Sequence, residues 1–257
     1  MIGTSLVEYT VAAVDEAVRL LFLVAEHPGL GLSELGRRSM NTKARTFRLL
    51  STLEQRNLVT RRGEPATYHL VFSALALGTA AHEQIDLLKL VEPALKFLSE
   101  KFNETVIVRI REGTASMSIA RREPQRSLRV NHRIGARMPL YAGASSKLLL
   151  AFSPDNVLRE VMESERVRFT KNTPVSEKNL QAALKQIREQ DYCVSIGEHV
   201  DDIGAVAVPL RDGSGEVVAS LSISAPAHRM TDKHVEAYLA DMKREAARIS
   251  REMGYRG

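Results

Sequence analysis

The apolar period of this chain changes once, near residue 104, and that change restricts it to a fold of two unlike parts. Up to about residue 102 apolar residues recur at helical spacing, and from "ETVIVRIREG" (104–113) they form strand-like runs. In the first part, Val14, Ala17, Val18, Leu21, Phe22 and Ala25 fit the i, i+3, i+4, i+7, i+8, i+11 series of a helix buried along one face. "HPGLG" (27–31) stops it with Pro and Gly. Ser33 is placed to cap a short second helix, "SELGRRS". After a tight turn at "MN", a third helix is predicted from about Thr42 to Gln55, with Thr46, Leu49, Leu50 and Leu53 inward and Phe47 flanking. Two β-prone runs in "LVTRRGEPATYHLV" (58–71) flank a turn with Gly and Pro, which predicts a hairpin. Helix, short helix, turn, helix, hairpin is the order of a winged helix-turn-helix.

Residues 72–102 read as helical, with breaks expected near Gly78 and at Pro93, and form a candidate linker and dimer seam. Beyond them "SMSIARRE", "SLRVNHRIG", "DYCVSIGEH", "IGAVAVPLRD" and "GEVVASLSISAP" are further strand candidates. "DGSG" (212–215) suits a hairpin turn between the last two. Helices are expected at 144–151, 154–163, 176–190 and 231–253. Such an order predicts an α+β fold with a largely antiparallel sheet. The expected organisation is a winged helix-turn-helix at 1–71, a helical linker at 72–102 and a ligand-binding domain at 103–257.

Charge points to the partner. From Arg37 to Arg62 eight cations (Arg37, Arg38, Lys43, Arg45, Arg48, Arg56, Arg61, Arg62) stand against the single acid Glu54, a formal +7. The whole 257-residue chain carries only +5, so the other 231 residues sum to −2. The inward positions of the third helix leave Thr42, Lys43, Ala44, Arg45 and Arg48 outward near its N-terminal end, the end that enters the major groove in helix-turn-helix proteins. Arg45 carries the fork that pairs with guanine O6 and N7, while Lys43 and Arg48 suit bases or phosphate. Arg61 and Arg62, at the expected hairpin tip, suit phosphate or the minor groove. The competing reading is a solvated helix face, the usual fate of a charge run. Three-helix periodicity, a basic third helix and a basic hairpin on one stretch favour double-stranded DNA.

Other function classes are poorly served. A lone Cys193 leaves no disulfide framework and no CxxC metal site, and no apolar run approaches the ~20 residues of a membrane span, so a cytoplasmic protein is expected. "GASSK" (143–147) misses the Walker A spacing, and a Ser-x-x-Lys pair would need Ser where Ala144 stands. His199 with Cys193 or His132 matches no standard metal-ligand spacing, so neither metal nor cofactor is expected. A small-molecule-processing enzyme, or a sensor that does not bind DNA, is the alternative function.

"VDEAVRLLFLVAEHPGLGLSELGRRS" with "TFRLLSTLEQRNLVTR" and "YHLVFSALALG" resembles the N-terminal domain of the IclR family of bacterial transcriptional regulators. "LRVNHRIGARMPLYAGASSKLLLAF" (128–152), "GEHVDDIGAVAVPLRDGSGEVVASLSIS" (197–224) and "RISREMGY" (248–255) are similar to its effector domain. The resemblance implies a GAF-like effector domain, a homodimer or dimer of dimers, and repression or activation tuned by a small molecule. It implicates Ala144 and Ser145 at a helix start, Ser195 and Ala205 on middle strands, and Ser222 and Ser224 on the last strand. Met138, Leu140 and Tyr141 are expected to supply an apolar wall. Ser146 stands where the family's Thr-Ala-x-Gly-Lys motif has glycine. Small residues opening an apolar helix leave first-turn amides unpaired, and the Ser145 and Ser146 hydroxyls add donors, so a small organic acid, aliphatic or aromatic, is the expected effector.

Overall fold

The structure, a computed structural model, describes residues 10–84, 86–126 and 133–257. It divides into two compact units, Met1–Ile85 and Asp86–Gly257. The first contains α1 (Ala12–Glu26), α2 (Leu32–Arg38) and α3 (Lys43–Gln55), then the antiparallel hairpin of β1 (Val59–Arg62) and β2 (Thr67–Leu70), then α4 (Phe72–Gln84). Leu20 and Val24 of α1, Leu35 of α2, Leu50 and Leu53 of α3, and Val59 and Tyr68 of the hairpin share one core. Gly36 permits the close approach of α2 to α3: a Cβ there would lie 3.1 Å from Thr46 Oγ1 and 3.3 Å from the Asn41 carbonyl oxygen. Thr42 caps α3, its hydroxyl accepting from the Arg45 amide at 3.3 Å.

The inward face of α3 is the predicted one, with Thr46, Leu50 and Leu53 buried and Leu49 half-buried. The face of α1 is not. Val14, Val18 and Phe22, expected inward, are 59%, 43% and 56% exposed, and Leu20 and Val24 are buried instead. Apolar residues occupy most of the circumference of α1, so spacing alone leaves its phase open, and packing against α2 and α3 sets it. Ser33 lies inside α2, whose N-cap is Gly31, with no side-chain cap. Arg61 and Arg62 end β1 rather than sit in the turn, Arg62 facing Thr67 in the last pair before it.

Neither Gly78 nor Pro93 interrupts a helix. Gly78 lies inside α4, and Pro93 inside α5 (Asp86–Phe102), which belongs to the second unit. Val91, Ala94, Leu95 and Leu98 of α5 are fully buried on both sides of Pro93, so packing outweighs the one amide that proline lacks. Residues 72–102, expected as a single linker, are thereby split between the two units.

The sheet of the second unit has the order β5-β4-β3-β8-β7-β6, with every adjacent pair antiparallel. Its strands are β3 (Thr105–Glu112), β4 (Ala115–Arg122), β5 (Arg137–Pro139), β6 (Cys193–Ile196), β7 (Ile203–Arg211) and β8 (Val217–Pro226). Helices α6 (Ala144–Ala151), α7 (Asp155–Glu163) and α8 (Glu177–Gln190) connect β5 to β6, and α9 (Asp232–Glu252) follows β8. The strand expected within 127–135 falls largely on residues 127–132, outside the described residues, and β5 is a strand the spacing does not predict.

Alternation along β8 assigns the two faces of the sheet. Ala219, Leu221, Ile223 and Ala225 join Leu95 and Leu98 of α5 and Tyr238 and Met242 of α9 in one core. Ser222 and Ser224 turn to the other face, where α6 lies, with all eight of its residues buried. Leu148 and Leu149 of α6 pack there with Leu180, Leu184 and Ile187 of α8. Small side chains on this face of the sheet leave the space in which the candidate site forms. No described helix is long and apolar enough to cross a membrane.

Candidate functional site

The basic stretch of the first unit is displayed, not folded inward. Arg37, Thr42, Lys43, Ala44, Arg45, Arg48, Arg61 and Arg62 are all exposed. The packing that buries Thr46, Leu50 and Leu53 turns the opposite side of the first two turns of α3 to solvent. Charge is more evenly balanced than the count over residues 37–62 implies. Glu34 binds both Arg37 and Arg38, which hold its carboxyl at about 2, far below the usual carboxylate range. Glu16 of α1 pairs with Arg45 Nε, and Glu54 with Arg61 at 3.2 Å. Lys43, Arg48, Arg56 and Arg62 make no ion pair among the described residues. Glu16 and Glu34 lie outside the counted window, and folding brings Glu16 across from a helix 29 residues away.

In the second unit a cavity of about 70 Å³ lies between the start of α6 and the sheet. Eight expected residues line it: Met138, Ala144, Ser145, Ser146, Ser195, Ala205, Ser222 and Ser224. Two do not. Leu140 is fully buried in the core with α6 and α8, and Tyr141 turns away to donate to the Val167 carbonyl at 3.1 Å and stack on Phe169. β5 ends at Pro139, and the chain returns to the cavity wall at Ala142 and Gly143. Register explains the rest: Thr105, Ser224, Ala205 and Ser195 form one row crossing β3, β8, β7 and β6, and Ile107 faces Ser222 two residues along.

The start of α6 is partly occupied by the protein itself. Gly143, at φ +87°, is its N-cap, and its amide donates to Glu198 at 2.9 Å. Lys147 pairs with the other oxygen of the same carboxylate. The first bond within the helix runs from the Lys147 amide to the Gly143 carbonyl, so the amides of Ala144, Ser145 and Ser146 lack intrahelical partners. Ser146 Oγ lies 2.8 Å from Ser116 Oγ, which in turn receives Arg109 Nη1 at 3.1 Å.

Arg109 and His199 line the cavity and were not expected there. Arg109 is 3% exposed, makes no ion pair among the described residues, and leaves Nη2 buried without a hydrogen bond. Burial lowers its guanidinium to about 10. His199 Nδ1 is likewise buried without a partner, and its ring packs 4.4 Å from that of Phe169. Burial, and then the charge of Arg109, push His199 below its ordinary 6.5. The signal in the sequence was an arginine at an inward position of "TVIVRIRE". Cys193 is buried, and its thiol is pushed by burial up to about 12, which leaves no thiolate for catalysis near neutral pH. No group of three His, Cys, Asp or Glu side chains suited to a metal occurs among the described residues, and His132 falls outside them.

Two family models match the chain: the IclR helix-turn-helix domain over residues 13–63, and "Bacterial transcriptional regulator IclR C-terminal" over residues 79–251. The chain belongs to the IclR family. As a member of this family it is a DNA-binding transcriptional regulator rather than an enzyme. The HTH-type transcriptional regulator KdgR of Escherichia coli K12 is 31% identical over 247 residues, covering 96% of this chain and 94% of KdgR. The IclR regulator of Alicyclobacillus acidocaldarius superposes with a TM-score of 0.88 at 26% identity, over 96% of this chain and 100% of that one. An IclR homologue of Microbacterium hydrocarbonoxydans, in complex with 4-hydroxybenzoate, shares the fold with a TM-score of 0.80 at 20% identity, over 94% and 98%.

Proposed function

We propose that this regulator binds its operator through α3 and the β1–β2 hairpin, and that a small organic acid in the cavity under α6 tunes that affinity. The observation that carries the DNA half is the outward N-terminal end of α3. Arg45 pairs with Glu16 through Nε, leaving Nη1 and Nη2 without partners among the described residues. Those two nitrogens are the ones a bidentate contact to guanine needs. Lys43, Arg48 and Arg62 supply phosphate contacts, and Arg37 and Arg61 flank them. The protein works in the cytoplasm as a homodimer or dimer of dimers, with two heads on half-sites about 34 Å apart.

The 4-hydroxybenzoate complex of the Microbacterium homologue supports an acid as ligand for this fold. Titration of operator duplexes across salt concentrations tests the DNA half. Arg45→Ala is expected to cost about 1–3 kcal/mol on the operator and to relax its sequence preference. Arg62→Ala should instead weaken all duplexes alike and reduce the salt slope by about one. Unchanged binding by both variants would remove α3 and the hairpin from the interface.

A further inference from the structure

Outside residues 37–62 the chain sums to −2, yet one groove of the second unit is strongly positive. Arg211, Lys243, Arg251 and Arg256 line it against the single acid Asp191. The groove runs along the C-terminal half of α9 beside the end of β7 and has a volume of about 690 Å³. That lies within the ~300–1,000 Å³ of small-molecule sites. It shares no lining residue with the cavity under α6.

The charged side chains of α9 divide into two flanks. Asp241, Arg244, Glu245, Arg248 and Glu252 form a chain of ion pairs, extended by Lys101 of α5. The acids of the last three turns of α9 are therefore all engaged on that flank. Lys243 and Arg251 line the groove instead, exposed, and neither they nor Arg256 make an ion pair among the described residues. Arg211 has a different task. Asp191 meets it at 2.6 Å, and its guanidinium lies 4.7 Å from the ring centroid of Phe152 and 6.0 Å from that of Tyr255. It holds Tyr255 in place as one wall of the groove.

Spacing and surface chemistry define the entrant. Lys243 and Arg251 are eight residues apart on α9, about 12 Å along its axis, which is further than one carboxylate spans. Two unpaired guanidinium forks suit phosphate oxygens. Val208, Pro209, Ala246 and Ala247 add an uncharged lining, and with the Tyr255 ring they suit a flat, largely apolar body.

We propose that this groove is a second ligand site and that it takes a nucleoside phosphate. Arg251, Arg256 and Lys243 hold the phosphate groups, and Tyr255 stacks on the base. The site is independent of whether an acid occupies the cavity under α6.

Calorimetry on the full-length protein at low salt, with adenosine, AMP, ADP and inorganic pyrophosphate as probes, tests it. ADP is expected to bind more tightly than AMP, and adenosine more weakly than either. Arg251→Gln combined with Arg256→Gln should weaken ADP on the order of tenfold to a hundredfold, the worth of charge-assisted hydrogen bonds. Both side chains are exposed and unpaired, so the Tm of the ligand-free double variant should match that of wild type. Tyr255→Ala should weaken ADP roughly tenfold, through lost stacking, and leave pyrophosphate unchanged. Arg244→Gln, on the paired flank, and Arg45→Ala, in the first unit, should bind ADP as wild type does. ADP that binds the double variant as tightly as wild type, or adenosine that matches ADP, overturns the site. A loss in Arg45→Ala does so too, by moving the nucleotide to the head, as does binding of no nucleotide at millimolar concentration. Pyrophosphate as tight as ADP overturns the nucleoside as ligand.

Discussion

A single carboxylate, that of Glu198, ties the start of α6 together, accepting from the Gly143 amide and pairing with Lys147. Its side chain is 11% exposed and that of Lys147 is 6%, so the pair is largely out of water. Removing one partner strands the other: Glu198→Ala is expected to destabilise the effector unit by about 3–5 kcal/mol. Urea unfolding of the full-length protein measures this, and a loss under about 1 kcal/mol would mean that water already relieves Lys147. Glu198 lies 51 residues from Lys147, so no spacing rule links them. The same holds for Arg45 and Glu16, whereas Glu34 and Arg37 are an i, i+3 pair readable from their positions. Arg109 is the instructive case. Its place in a buried strand was visible, but its lack of a counter-ion depends on strands and loops that meet only in the folded unit.

Among the elements, α3 depends most on local signals. Thr42 precedes its first turn, accepts from the Arg45 amide and fixes where the helix begins. Thr42→Ala should therefore cost about 1 kcal/mol of stability in the first unit, and Thr42→Ser should restore most of it. Far-UV circular dichroism during urea unfolding reads this change, and a silent alanine variant would show that packing alone sets the end of α3. In α1 the balance is reversed. Its apolar residues run round most of the helix, so the buried line through Leu20 and Val24 is chosen by its neighbours. In α5, Pro93 is overruled for a related reason: fully buried residues on both sides hold the helix together. The strands β3, β4, β7 and β8 follow their predicted runs closely, because alternation is a local property and "DGSG" fixes the turn between the last two.

For the whole molecule, the exposed apolar face of α4 bears on how copies pair. The first unit leaves Phe72, Leu75 and Leu77 of α4 at 87%, 63% and 62% exposure. In the proposed homodimer this face would meet a second copy of the chain, since two heads on one duplex require a seam near them. Leu75→Glu with Phe72→Asp is expected to abolish cooperative operator binding, so that gel shifts show two separate steps. Cooperative binding by this double variant would move the seam to another surface.

Read by itself, the sequence determined the α+β class, the winged head, most helix and strand spans and the exposed cations of α3, all encoded by residues a few positions apart. Tertiary structure alone decided the phase of α1, the division of residues 72–102 between two units, the acids that offset Arg45 and Lys147, and the orphaned guanidinium in the cavity. Each of these depends on which distant groups meet and on how much water remains between them, and neither quantity is written in the spacing of neighbours.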